Sequence, residues 1–158
     1  GKVVAHNIRL RGTKPAKRFN NNRFQNVGYL NSEFTELALP EGHFDMILMV
    51  KTYHDLYFEA KVWPKINREN YFKEIRAGLK PGGILAVIDH AALPNTGNSA
   101  AQNLHRIDEE FAKQDIESAG FTFTSESKAL RTTDDDRSID AHDLKGKSDR
   151  FVHRYIKD

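Results

Sequence analysis

The sequence predicts an α/β fold whose sheet is mostly parallel, with an antiparallel edge formed by the C-terminal strands. Two apolar runs, at 44–50 (FDMILMV) and 84–88 (ILAVI), are typical of strands covered on both faces. Between them, residues 67–79 place apolar side chains at helical spacing, and this strand–helix–strand order favours a parallel pair. No helical pattern lies between the strands predicted at 121–124 and 151–157, so we expect these two to form an antiparallel edge.

The remaining elements follow from local signals along the chain. Short apolar stretches at 3–5 and 27–30 predict two further strands before the first long one. Asn67 is an N-cap residue for the first helix, and Pro–Gly–Gly at 81–83 is expected to end it. Apolar residues at helical spacing predict a second helix over 104–119. With no internal repeat and no linker-like stretch, residues 1–158 are predicted to form a single domain.

Charge and composition exclude several classes of protein. The chain has 24 Lys and Arg against 22 Asp and Glu, which is too balanced for a typical nucleic-acid binder, although residues 9–23 are locally basic. The absence of cysteine excludes disulfides and thiolate chemistry, and no apolar run is long enough to span a membrane. We expect a cytoplasmic protein without a nucleic-acid or membrane partner. The charge-rich segments 134–137 and 145–150 are expected to form ion pairs with each other.

Polar side chains follow both long predicted strands, at the edge where ligands bind in open α/β sheets. Tyr53 and His54 come after the first strand, and Asp89 and His90 end the second. Neighbouring parallel strands lie about 4.8 Å apart, so we expect all four side chains to line one cleft. A histidine beside a carboxylate can act as a general acid or base. The alternative is a hydrogen-bonded network that only anchors the loops.

No metal site is predicted, although the chain has seven histidines. Neither an HExxH sequence nor an EF-hand spacing occurs, and a site made of His54, Asp89 and His90 has no further support. His105 and Arg106 open the second predicted helix and are expected to close the same cleft from above.

Two longer segments carry a resemblance to a known family. ALPEGHFDMILMV followed by FKEIRAGLKPGGILAVIDH is similar to the fourth strand, helix, turn and fifth strand of class I S-adenosylmethionine-dependent methyltransferases. The motifs YHDLY, IDH, LHRID, DDRS and GKSDRF together resemble an uncharacterised branch of predicted methyltransferases. The resemblance implies a Rossmann-like sheet and methyl transfer from S-adenosylmethionine to a small-molecule acceptor.

One family feature does not occur in the sequence. No GxGxG loop is present, and GKVVAHN resembles the family's second strand. The resemblance therefore implies an N-terminally truncated sheet that lacks the first strand and the Gly-rich loop. A preceding segment or a second copy of the chain is expected to complete this sheet. Because the natural beginning of the sequence is expected to be missing, the alternative of an exported protein stays open.

The resemblance also assigns roles to individual residues. Asn7 matches the acidic position that binds the donor ribose, Glu33 and Phe34 match the positions that meet adenine, and Lys51 matches the opening of the methyl-transfer site. His54 or His90 is the best candidate for a catalytic base, with Tyr53 and Asp89 beside it. The alternative function is a degenerate, non-catalytic methyltransferase fold that binds a partner, because an amide replaces the carboxylate at position 7.

Overall fold

The computed structural model describes residues 1–8, 24–61 and 63–158. The six strands are β1 (Val3–Ile8), β2 (Val27–Ser32), β3 (Phe44–Val50), β4 (Leu79–His90), β5 (Phe121–Glu126) and β6 (Arg150–Lys157). The helices are α1 (Arg68–Gly78), α2 (Ala101–Leu104) and α3 (Glu109–Ser118), and a 3₁₀ turn covers His54–Tyr57. Among the described helices, none combines the length and apolar composition needed to cross a membrane.

The contacts divide the chain into two units, 1–38 and 39–158, and each is described by itself. In the first unit β1 and β2 pair in parallel, with Val3 opposite Val27 and Ile8 opposite Ser32. The predicted strand at 3–5 thus pairs with the one at 27–30, as the first part of a longer ladder. The basic stretch at 9–23 lies outside the described residues.

The second unit contains a four-stranded sheet in the order β3-β4-β6-β5. β3 and β4 are parallel, whereas β6 is antiparallel to both β4 and β5. The core lies along the central strands, where Leu85, Val87, Phe151 and Tyr155 are fully buried. The prediction of an α/β fold with parallel pairing and antiparallel C-terminal strands is confirmed.

Helix α1 begins where the sequence predicts. The side chain of Asn67 accepts a hydrogen bond from the backbone N–H of Asn70 at 3.1 Å, which satisfies a donor of the first turn. One face of the helix buries Tyr71, Phe72 and Ile75. This apolar face follows the spacing of three and four residues in the sequence.

The Pro–Gly–Gly segment lies inside β4 and not at the end of the helix. Helix α1 ends at Gly78, and Leu79 already pairs with Phe44 of β3. The next pair is Met46 with Ile84, so the residues between Leu79 and Ile84 form a bulge. Gly82 has a φ of +70°, a conformation that glycine adopts without steric cost. The expectation that residues 81–83 end the helix is therefore wrong.

Strand β3 is covered on one face only, contrary to the prediction from its apolar sequence. Met46, Leu48 and Val50 are 52%, 54% and 43% exposed, whereas Met49 is buried. Successive side chains on a strand point to opposite faces. Within the described residues of its unit β3 is also an edge strand, so only the face that carries Met49 reaches the core.

The predicted helix over 104–119 is interrupted. Helix α2 ends at Leu104, His105 has a left-handed backbone, and the side chain of Asp108 caps the start of α3. The cause is a tertiary contact, because the N–H of Ile107 donates to the carbonyl of His90 at 3.0 Å. A residue that extends the edge of the sheet cannot also continue a helix.

Candidate active site

His54 and Asp89 form a buried hydrogen-bonded pair where β4 ends. His54 Nδ1 lies 2.7 Å from Asp89 Oδ1, and the backbone N–H of His54 donates to Asp89 Oδ2 at 2.8 Å. The two side chains are only 2% and 0% exposed. Burial opposes protonation of His54, but the charge and hydrogen bond of Asp89, helped by the charge of Asp55, outweigh it and raise the pKa of His54. A carboxylate that orients an imidazole is the arrangement found around general bases.

His90 lies beside this pair, and its pKa is shifted in the opposite direction. Its ring centroid is 5.7 Å from that of His54, and its Nδ1 lies 2.6 Å from the hydroxyl oxygen of Ser148. Burial lowers the pKa of His90 to about 4, against the opposing charge of Asp89. His90 is therefore a neutral imidazole at pH 7.

Tyr53 does not join this pair, although it precedes His54. Its hydroxyl donates to Asp115 Oδ2 at 2.6 Å, and the hydroxyl of Tyr57 donates to the same oxygen at 2.8 Å. Arg68 binds the other oxygen of Asp115. Burial, with the charge of Asp115, raises the pKa of Tyr53 well above its usual value, so the hydroxyl stays protonated. The structure brings His54, Asp89 and His90 together and directs Tyr53 to a contact that links the 3₁₀ turn with α1 and α3.

Two more histidines complete a group of four imidazoles, which we call the histidine cluster: His54, His90, His105 and His142. The ring of His105 lies 5.7 Å from that of His54 and 4.3 Å from that of His142. The ring centroid of His142 in turn lies 6.4 Å from that of His90, so each of the four rings neighbours two others. Sequence reasoning missed His142, which lies in an irregular polar segment. Its only signal is the Asp140–Ala–His142 triplet.

Arg106 does not close the cleft as predicted. Its side chain is fully buried, and its two terminal nitrogens each lie 2.9 Å from one oxygen of Asp135. The segment that contains Asp135 is further held by Arg137, whose guanidinium lies 2.7 Å from Asp149. The expected pairing of the charge-rich segments 134–137 and 145–150 is therefore observed. Arg106 therefore anchors the segment after β5.

Three of the predicted donor-binding residues belong to the first unit. Asn7 lies opposite Asn31 in the β1–β2 ladder. The structure describes the backbone of Asn7 but not its side chain. Glu33 follows β2, where its carbonyl accepts a hydrogen bond from the N–H of Glu36 at 3.1 Å. Phe34 comes next, and both Glu33 and Phe34 are half-buried.

Lys51, the fourth predicted donor residue, ends β3 in the second unit. Its N–H donates to the carbonyl of Ile88 at 2.7 Å, and its side chain is exposed. Its φ of 54° is uncommon for a residue with a side chain, and such conformations concentrate at ligand sites. The part that these four residues play in donor binding stays a prediction.

A comparison with protein families gives a match that covers more than half of the chain. The model described as "Methyltransferase domain" matches residues 1–87, which include β1 to β3, α1 and most of β4. The chain belongs to the methyltransferase domain family. The match ends just before Asp89, so three of the four residues of the histidine cluster, His90, His105 and His142, lie beyond the matched residues. A comparison with curated protein sequences gives no match.

Solved methyltransferase structures have the same fold. An S-adenosylmethionine-dependent methyltransferase from Aquifex aeolicus is 21% identical, with a TM-score of 0.68 over 99% of this chain and 69% of its own. A second such enzyme, from Mesorhizobium loti, is 12% identical, with a TM-score of 0.61 over 99% and 80% of the two chains.

A third structure contains ligands. The 1,6-didemethyltoxoflavin-N1-methyltransferase of Burkholderia thailandensis is 18% identical, with a TM-score of 0.61 over 96% of this chain and 60% of its own. That structure holds 1,6-didemethyltoxoflavin and S-adenosylhomocysteine. At these identities the likeness establishes the fold of this methyltransferase domain and not its acceptor.

Proposed function

We propose that this methyltransferase domain transfers a methyl group from S-adenosylmethionine to a small-molecule acceptor. The observation that carries the proposal is the family match over residues 1–87, which covers the strands expected to hold the donor. The fold is shared with S-adenosylmethionine-dependent enzymes, one of them holding S-adenosylhomocysteine. The buried His54–Asp89 pair adds a group that can accept a proton.

The side chains after β2 fit the chemistry of the donor. Glu33 and Phe34 are adjacent and half-buried, and they offer a carboxylate and an aromatic face to an adenine. We assign them to the adenine, Asn7 to the ribose and Lys51 to the opening of the transfer site. The donor, when bound, supplies an electrophilic methyl group. The chain contributes position and alignment, which is the larger part of catalysis in such a displacement.

His54 is the better of the two candidate bases. The pKa of His90, at about 4, makes it a weak proton acceptor, whereas the pKa of His54 is raised. Asp89 holds Nδ1 of His54, so Nε2, which lies 3.4 Å from Asp55 Oδ1, is the nitrogen that would take a proton from an acceptor hydroxyl or amine. We therefore assign His54 as the base and Asp89 as the residue that positions it.

Calorimetric titration tests the donor assignment. S-adenosylmethionine and S-adenosylhomocysteine are titrated into the chain together with any residues that its gene encodes before Gly1. We expect both to bind, and Glu33→Gln to weaken binding at least tenfold, because the amide accepts fewer hydrogen bonds. Glu36→Gln is the matched control, since Glu36 is an exposed residue of the same turn. No binding of either compound by a folded protein would overturn the donor assignment.

A second candidate function is a non-catalytic methyltransferase fold that binds a partner protein. Asn7 favours it, because this position carries a carboxylate in related enzymes. The two candidates differ in one measurement, the release of S-adenosylhomocysteine in the presence of small hydroxyl and amine compounds. Release above the rate without any acceptor supports the enzyme. Donor binding without release from any acceptor supports the binding protein.

A further inference from the structure

His105, Asp140 and His142 place three metal-ligating atoms close together on the surface of the histidine cluster. His105 Nδ1 lies 3.1 Å from Asp140 Oδ2, and His142 Nδ1 lies 3.3 Å from Asp140 Oδ1. One ligand atom from each of the three lies within 4.8 Å of the other two. We propose that these residues bind one divalent transition-metal ion of the zinc class. Two imidazoles and one carboxylate are ligands that such ions prefer.

The spacing of the donor atoms suits the geometry of such a site. Ligand atoms about 2.1 Å from a tetrahedral zinc ion lie about 3.4 Å from one another. The two histidine–aspartate distances, each to a different oxygen of the Asp140 carboxylate, are already close to this value. An ion can therefore enter with small movements of the side chains, and three protein ligands leave a fourth position for water.

The backbone around Asp140 is fixed from both sides. Arg106 Nε donates to the carbonyl of Ile139 at 2.9 Å, and the N–H of Ala141 donates to the carbonyl of Leu104 at 3.0 Å. Leu104 and Arg106 flank His105 in sequence, just as Ile139 and Ala141 flank Asp140. The two segments that carry the ligands are thus joined on either side of the site. Such support lowers the entropy that a metal site must otherwise lose on binding.

The backbone of His105 gives a second, independent indication. It has φ 50° and ψ 46°, a left-handed conformation that residues with a Cβ rarely adopt. The ring is held against Phe58, with the centroids 5.2 Å apart, and edge-on to His54. A histidine kept in a strained conformation with its ring packed in place is typical of a functional position. His142 is 63% exposed, so the site is open to ions from solvent.

Metal titration tests this inference without donor or acceptor, so its outcome is separate from that of methyl transfer. Zinc is titrated calorimetrically into the tag-free protein, and cobalt into a parallel sample whose visible absorption reports tetrahedral coordination. We expect one equivalent of each metal to bind. His142→Gln and Asp140→Asn should each weaken binding at least tenfold, because each removes a ligand.

His43→Gln is the matched control, because His43 is an exposed histidine far from the three ligands in sequence. It should leave the affinity unchanged, and circular dichroism should show the same fold for all variants. His142→Gln is informative because an exposed side chain can be replaced without loss of packing. Absence of one-to-one binding, or an equal loss of metal affinity in His43→Gln, would overturn the metal site. The three residues would then serve only to hydrogen-bond to one another.

Discussion

Asp89 binds His54 at two points, one oxygen meeting the imidazole and the other meeting the backbone N–H. The same carboxylate therefore fixes both the start of the 3₁₀ turn and the orientation of the ring. A third hydrogen bond, from the N–H of His90 to Asp89 Oδ1 at 2.7 Å, ties the carboxylate to its own strand. The position of His54 thus depends on one side chain at the end of β4.

Replacing Asp89 by Asn is expected to lower the free energy of unfolding by about 3 kcal/mol. The NH₂ group of Asn would face the backbone N–H of His54. Two donors would then meet, and neither would have an acceptor. Urea denaturation measures the change. Asp45→Asn is the control, because Asp45 is exposed in its ion pair with Lys80, and this substitution should change the free energy of unfolding far less. Equal effects of the two substitutions would contradict the role given to Asp89.

Replacing His54 by Gln is expected to reduce the rate of methyl transfer by about 10²-fold, because the basic nitrogen is removed. The same change at His90 should have a smaller effect, since its lowered pKa already makes it a weak base. Steady-state release of S-adenosylhomocysteine gives both rates, and His43→Gln serves as the reference variant. If the two cluster variants lose activity equally, the assignment of His54 alone as the base is wrong.

Tyr53→Phe and Asp115→Asn test the contact that the sequence did not predict. Tyr53→Phe removes one hydrogen bond and should cost about 1 kcal/mol of unfolding free energy. Asp115→Asn should cost more, about 2 to 3 kcal/mol, because Asp115 also binds Tyr57 and Arg68. Thermal and urea unfolding measure both. A smaller loss of unfolding free energy in Asp115→Asn than in Tyr53→Phe would show that the Asp115 carboxylate does not hold all three side chains.

Glu109 is expected to make stability depend on acidic pH. Burial opposes its ionisation, but hydrogen bonds from His153 and Arg131 outweigh this and lower its pKa from 4.5 to about 2. Between these values the unfolded chain takes up a proton that the folded chain does not, so stability falls as pH drops from about 5 to 2. The stabilisation by ionised Glu109 is complete above pH 5.

Unfolding free energies of the protein and of Glu109→Gln between pH 7 and pH 2 measure this effect. The difference between the two should be largest near pH 7 and should shrink as pH falls through the range above. Glu110→Gln is the matched control on the same helix, where the carboxylate accepts a surface hydrogen bond from Gln114. A difference that stays constant down to pH 3 would mean that folding does not shift the titration of Glu109.

Gly83 is expected to tolerate no side chain, which explains its place in the Pro–Gly–Gly segment. An added Cβ would lie 2.8 Å from the carbonyl oxygen of Lys80 and 3.1 Å from Leu79 Cδ2. Gly83→Ala should therefore cost about 1 to 3 kcal/mol in urea denaturation. Gly28→Ala is the comparison, since its nearest neighbour is 3.9 Å away, and it should be neutral or slightly stabilising. Equal stability of the two variants would contradict the steric argument.

The sheet and the His54–Asp89 contact could be predicted because both follow from pattern and geometry. Two apolar runs separated by a helical stripe predict parallel neighbours, and parallel neighbours place their carboxyl ends side by side. His54 follows one end and Asp89 lies at the other, so the contact needs no knowledge of the loops. His90 follows for the same reason.

The other features of the site and the fold could not be predicted, because they depend on contacts between residues that are distant in sequence. The direction of Tyr53 is set by Asp115 on α3, and the segment that carries His142 is anchored by Arg106. The exposed face of β3 depends on which neighbours pack against it, which an apolar run does not reveal. Likewise, helical spacing over 104–119 did not show that Ile107 pairs with the end of β4.

The described segment between β5 and β6 contains no helix or strand, yet two of its amides donate to buried carboxylates. The N–H of Asp149 donates to Asp135 at 2.6 Å, and the N–H of Thr132 donates to Asp149 at 2.9 Å. Both carboxylates are buried, and Arg106 beside them is fully buried. Amide hydrogen exchange at Asp149 and Thr132 is therefore expected to be slow, because each N–H must first separate from a buried carboxylate. We therefore expect the segment that carries Asp140 and His142 to open slowly, although it has no regular secondary structure.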